Sequence, residues 1–119
     1  MTESPIFLKS FETLTWILEH TKKFPKHQRF VLAKRIEDAA LSMHDALVGA
    51  TKTKRKSKSL EEADYHLERL RIYNRLCVKL KLHSIRQYEH LARNLDEIGR
   101  LLGGWIKTFK QRIVKETQG

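Results

Sequence analysis

The sequence predicts an all-α fold, an antiparallel up-down four-helix bundle, and three observations carry that prediction. Apolar residues recur at steps of three and four through four separate segments, the period of a helix buried on one side. The 119 residues include only two prolines and five glycines, so long uninterrupted helices are permitted. Two segments open on a capping-box pattern, Ser59 with Glu62 and Ser84 with Gln87, which satisfies backbone donors left over at a helix start. No apolar run approaches the roughly 20 residues needed to span a bilayer, and no signal-peptide pattern opens the chain. A single cytoplasmic domain over residues 1–119 is the expectation.

The first helix is expected over about residues 6–23, with Ser4 as N-cap and Pro5 at the first helical position. Phe7, Phe11, Leu14 and Leu18 make its predicted buried stripe, with Ile6 and Ile17 alongside. Trp16 falls opposite, among Glu12, Glu19 and Lys23, where it is either a lid over neighbouring side chains or a contact with another subunit. Phe24-Pro25 breaks this helix, and a second is expected over 26–50. Its seam is Ala33, Ile36, Ala40, Met43 and Leu47, flanked by Ala39 and Ala46, and so many alanines bring helices close together.

Residues 51–58, TKTKRKSK, read as a mobile basic linker carrying Lys52, Lys54, Arg55, Lys56 and Lys58, with no apolar side chain to bury. A third helix is expected over 60–82, with Ala63, Leu67, Leu70, Asn74 and Cys77 on its main seam. Tyr65, Ile72, Leu76 and Leu80 lie on another side of it. A helix apolar on two sides has to bury both, and a lone bundle buries only one, so the pattern predicts self-association. Leu82-His83 leaves a very short turn, which makes the third and fourth helices antiparallel neighbours.

The fourth helix is expected over 85–110, with residues 111–119 fraying. Tyr88, Leu91, Leu95, Ile98, Leu102, Ile106 and Phe109 form its stripe, widened by Ala92 and Gly99. Leu101 and Trp105 point away from that stripe beside Gly103 and Gly104. Glycine inside a helix costs about 1 kcal/mol relative to alanine, a loss that close backbone packing would recover. Trp16, Tyr65, Ile72, Leu76, Leu101, Gly103, Gly104 and Trp105 are therefore the expected subunit contacts.

Charge points to the partner. The formal net charge is +10, from 24 Lys and Arg against 14 Asp and Glu, which favours an anionic surface, nucleic acid first. A membrane surface fits less well, because no helix combines an aromatic-rich apolar face with lysine flanks. Arg86, Arg93, Arg100 and Lys107 repeat every seven residues and climb one side of the fourth helix in steps of roughly 10 Å. Arg71, Arg75 and Lys79 stand four apart on the third. These seven and the five cations of the linker are the expected phosphate contacts, which position a nucleic acid without reading its sequence. The alternative is a helical protein-protein adaptor whose positive charge serves solubility only.

Catalytic chemistry is not legible. The sequence contains no Gly-rich phosphate loop, nucleophile elbow or paired-cysteine zinc pattern. The single Cys77 excludes an intrachain disulfide and sits on a core seam, which predicts an inert buried thiol. Six histidines are scattered, none spaced i,i+4, and no glutamate stands three residues before one, as a di-iron bundle site would need. No enzyme activity, no metal and no cofactor are expected.

The segment DEIGRLLGGWIK (96–107), together with FPKHQRF (24–30), RIEDAAL (35–41) and LERLR (67–71), resembles the accessory variability determinant proteins of diversity-generating retroelements. That family lies within a wider group of small four-helix-bundle proteins that includes those encoded in ribosomal RNA intervening sequences. The resemblance spans about residues 11–107. It implies a homopentameric barrel whose basic surface binds RNA or DNA and the element's reverse transcriptase. The accessory protein would assist mutagenic copying of template RNA without being catalytic itself. The 51–58 segment is more basic than the family pattern leads one to expect.

Overall fold

In a computed structural model, which describes residues 4–118, four long helices make the fold and no strand occurs among the described residues. They are α1 (Pro5–Thr21), α2 (Lys34–Lys52), α3 (Lys56–Lys79) and α4 (Ile85–Gln118). A short helical turn, Lys26–Gln28, and a π-helical stretch, Arg29–Ala33, lead into α2. Together they form a rod of 56 × 23 × 23 Å. At 1.5 Å per residue the 34 residues of α4 span about 51 Å, nearly the whole rod. Among the described residues no helix is long and apolar enough to cross a membrane.

Pro5 stands at the start of α1 and Ser4 at its N-cap, although the serine side chain makes no capping bond. The buried face differs from the predicted stripe. It consists of Ile6, Phe7, Ser10, Thr13, Ile17 and Thr21, while Phe11 is 63% exposed and Leu14 and Leu18 are half-buried. Small hydroxyl residues let α1 lie close to its neighbours, and each hydroxyl keeps a partner. Thr13 Oγ1 donates to Lys9 O at 2.7 Å, Thr21 Oγ1 donates to Glu37 of α2, and Ser10 Oγ meets His44 Nδ1 at 3.0 Å. Ranking positions by hydrophobicity alone turns this helix the wrong way.

α1 ends at Thr21 and the chain turns through Phe24-Pro25 before the next helical residue, Lys26, with Phe24 itself buried. Arg29 seals the end of α1, its Nε donating to Phe24 O at 3.3 Å and its Nη2 to Lys22 O at 3.2 Å. The predicted seam of α2 is buried throughout, Ala39, Ala40, Met43 and Leu47 completely. α2 and α3 share the most extensive helix-helix contact of the molecule.

The expected basic linker contracts to residues 53–55. α2 continues to Lys52, and α3 begins at Lys56 rather than after a cap at Ser59, so Ser59 and Glu62 lie inside the helix and form no capping box. Lysine and arginine are good helix formers, so a basic run without Gly or Pro has no local reason to unwind. Lys56 Nζ donates to Ala50 O at 2.8 Å and ties the two helix ends together. The main seam of α3 is buried as predicted, with Leu60 added to it.

The α3–α4 turn is tightly specified. Leu82 N–H reaches Cys77 O at 2.8 Å and Lys81 N–H reaches Val78 O at 3.1 Å, the paired bonds of a Schellman ending, with Lys81 at φ 62°. The Ser84–Gln87 capping box forms in both directions: Gln87 N–H donates to Ser84 Oγ at 3.0 Å and Ser84 N–H to Gln87 Oε1 at 2.9 Å. α4 does not fray at 110 but stays helical through Gln118, while Gly119 lies outside the described residues. Lys110, Arg112 and Lys115 therefore ride on a helix rather than a tail.

Candidate nucleic-acid interface

The core of α4 is made by Leu91, Leu95, Ile98 and Leu102, all essentially sealed from solvent. At 100° per residue, Arg86, Arg93, Arg100 and Lys107 fall on the far side of the helix from that core. All four are exposed. Arg100 is shared with Glu97, Nη2 to Oε1 at 2.6 Å, whereas Arg86, Arg93 and Lys107 make no ion pair among the described residues.

The α3 edge is divided. Arg75 and Lys79 are exposed and unpaired among the described residues. Arg71 is half-buried and engaged, with Glu68 at 3.5 Å and Asp96 of α4 at 3.9 Å. Its guanidinium lies over Gly99, where an added Cβ would collide with Arg71 Nη2. Gly99 is thus the glycine of α4 that permits close approach, and Arg71 acts as a bridge between helices before it is a surface cation. Lys52, Lys54, Arg55 and Lys58 are exposed around the α2–α3 connection, and Lys56 is held by Ala50 O.

The expected subunit contacts also separate into two groups. Tyr65, Ile72 and Leu76 are 63%, 48% and 40% exposed, and with Leu80 they line the solvent side of α3. Arg69 lies over the rings of Tyr65 and Tyr73 at 5.9 and 5.7 Å, so this stripe is partly screened by a cation. Trp16, Leu101 and Trp105 instead pack partly against the chain's own core. Trp105 meets Phe7 edge-on at 6.2 Å in a groove of about 510 Å³ whose walls include Pro5, Leu101, Phe109 and Arg112. Gly103 and Gly104 have open space where a side chain would stand, so no packing within this chain recovers their helix cost.

Trp16 is half-buried against side chains of its own chain. It stacks on His20 at 3.7 Å and lies 5.7 Å from His83 and 5.2 Å from His90, so three of the six scattered histidines gather round it. The i,i+4 spacing of Trp16 and His20 was the available signal, while the approach of His83 and His90 follows from the α3–α4 turn. His83 is 4% exposed, and burial, then the neighbouring His20, lowers its pKa to about 4. Burial alone pushes the Cys77 thiol up to about 12, which leaves it protonated and unreactive at neutral pH. Among the described residues no three His, Cys, Asp or Glu side chains converge as a metal site would require.

A protein-family model described as bAvd-like matches residues 6–109 of this chain. No curated protein matches it.

Proposed function

The chain belongs to the bAvd-like family, and from that membership and its cationic rim we propose that it is a nucleic-acid-binding accessory protein that assists a retroelement reverse transcriptase in mutagenic copying of template RNA. The family is one of accessory proteins and is not a known catalytic family. The observation that carries the reading is the outward register of Arg86, Arg93, Arg100 and Lys107, four exposed cations on one helix. A step of roughly 10 Å matches about three nucleotides of a stacked strand at about 3.4 Å each. Contacts of this kind release counterions and tolerate sequence, so binding to RNA or DNA is salt-dependent and weakly specific.

The test is affinity for a single-stranded RNA between about 50 mM and about 300 mM salt, where four phosphate contacts give a log-log slope of about −3. Replacing Arg86, Arg93, Arg100 and Lys107 by Gln should flatten that slope and leave the thermal midpoint unchanged. Equal affinity of the native chain at both salt concentrations removes the reading.

We further propose that the chain works in the cytoplasm as a homo-oligomer, a pentamer in line with its resemblance to the family. The exposed stripe of Tyr65, Ile72, Leu76 and Leu80 supports this, because it is apolar surface that one subunit leaves uncovered. Sedimentation should give an oligomer for the native chain and a monomer for Ile72→Glu with Leu76→Glu. A native monomer at micromolar concentration contradicts the proposal. The same stripe also favours the adaptor reading, which differs in one measurable respect: an adaptor binds no RNA or DNA above a neutral control protein.

A further inference from the structure

At the end of the rod where α1 gives way to the π-helical stretch and α3 turns into α4, a cavity of about 280 Å³ opens between the two turns. Its lining includes His20, Lys23, Phe24, Lys81, His83 and Gln87. The hydrogen bonds around it set the tautomers. Asn74 Nδ2 donates to Tyr88 O at 3.0 Å, which turns Asn74 Oδ1 toward His83 Nδ1 at 2.9 Å. A carbonyl oxygen only accepts, so Nδ1 carries the proton and Nε2 carries the lone pair. Nε2 has no partner among the described residues, and no buried polar side-chain atom there lacks one, so it opens to the cavity. Burial keeps this ring neutral at physiological pH. His20 is fixed in the same way, its Nδ1 donating to Trp16 O at 2.8 Å.

The rim carries a second, independent observation. Lys81 is the described non-glycine residue with positive φ, at 62°, in the position of a Schellman ending that glycine or asparagine ordinarily takes. A lysine held there costs about 1 kcal/mol that glycine would spare. Its side chain is exposed, as is that of Lys23 across the opening, and neither makes an ion pair among the described residues. The cavity thus presents a neutral ring acceptor at depth, the buried ring of Phe24 as a wall, and two free cations at the mouth.

We propose that this cavity takes an unpaired nucleotide, with an N–H edge of the base donating to His83 Nε2 and its phosphate held by Lys23 and Lys81. A carboxylate at the same depth would meet a lone pair, whereas a flat neutral donor satisfies it. The volume lies just below the ~300–1,000 Å³ usual for small-molecule pockets and admits one base. The inference rests on the nucleic-acid reading above but uses none of the cations on the outer face of α4.

Trp16 touches His83 and reports on the cavity, so Trp105→Phe leaves it as the single tryptophan emitter. Adenosine monophosphate, cytidine monophosphate, adenosine, inorganic phosphate, a short single-stranded RNA and its duplex are titrated in turn. The expected result is a saturable change in Trp16 emission with a mononucleotide or the single strand and none with the duplex. Response to the mononucleotide identifies free nucleotide as sufficient; response to the strand alone identifies an unpaired position in a chain; both support the site. Lys81→Gly should weaken this binding roughly fivefold, the loss of one charge-assisted contact, while the thermal midpoint holds or rises. A merely structural Lys81 would show the thermal gain without the loss, and that result overturns the proposal. So does silence from every mononucleotide and single strand, or inorganic phosphate competing as well as the nucleotide. If the site fails while salt-dependent RNA binding persists, the α4 ladder stands alone; if mononucleotides bind and RNA shows no salt dependence, the ladder reading falls instead.

Discussion

At the end where α3 turns into α4, polar groups are paired inside the chain: Asn74 joins His83 to Tyr88, His20 caps back onto Trp16 O, and Arg29 holds the Lys22 and Phe24 carbonyls just past α1. At the opposite end, Phe7, Leu101, Trp105 and Phe109 wall an open groove, and α4 runs on past it with Ile113 and Val114 exposed. The first end is completed by directional bonds that fix one geometry. The second leaves apolar surface and a projecting helix, features that a further surface can cover. Order that a chain completes alone and order it leaves to an assembly therefore sit about 25 Å apart along the same long helix, from Tyr88 to Trp105.

Asn74→Leu breaks the paired end most severely. It orphans His83 Nδ1–H and removes the second bond to the Tyr88 carbonyl, which keeps its place in the α4 helix, and should cost about 3 kcal/mol in denaturant unfolding, the upper end for one unsatisfied buried donor. Acid acts on the same end. His83 has a pKa of about 4 when folded against 6.5 unfolded, so the unfolded chain binds the extra proton between those values. Its contribution is fully present above about pH 6.5 and is lost as pH falls toward 4, on the order of 3 kcal/mol in a pH series of unfolding free energies. Replacing His83 by Gln should flatten that part of the profile.

The open half of α4 should respond in the reverse sense. Gly103→Ala with Gly104→Ala fills space that is empty in the subunit and should stabilise the isolated fold by about 2 kcal/mol, one for each helical glycine removed. If those positions meet another subunit's backbone, the same double variant should sediment as a smaller species, and retention of the full assembly would remove them from the interface. The smallest effect belongs to α1, where Phe11→Gln should change stability by less than about 0.5 kcal/mol because that ring already faces solvent.

Much of this was legible because local chemistry sufficed. The Ser84–Gln87 box, the Pro5 start, the Phe24-Pro25 break and the α2 seam depend on residues within a turn or two of one another, and each stands in the structure. The basic 51–58 run is different: its charge and lack of apolar residues suggest a mobile linker, yet lysine and arginine favour helix where neighbouring helices supply the packing. Within the candidate interface, the exposed register of the α4 cations was readable from a seven-residue repeat. The capture of Arg71 by Glu68 and Asp96 was not, because one of those partners stands on another helix.

The sequence by itself determined the helical class, the outward ladder of α4 and the absence of any catalytic motif, because periodicity and spacing along one helix set which residues share a face. Only the tertiary structure decided which face of α1 is buried, that Trp16 gathers three histidines, and that Lys81 and Lys23 flank one cavity. Those outcomes depend on contacts between segments far apart in the chain. There, small hydroxyls with a partner can displace larger apolar side chains from the core.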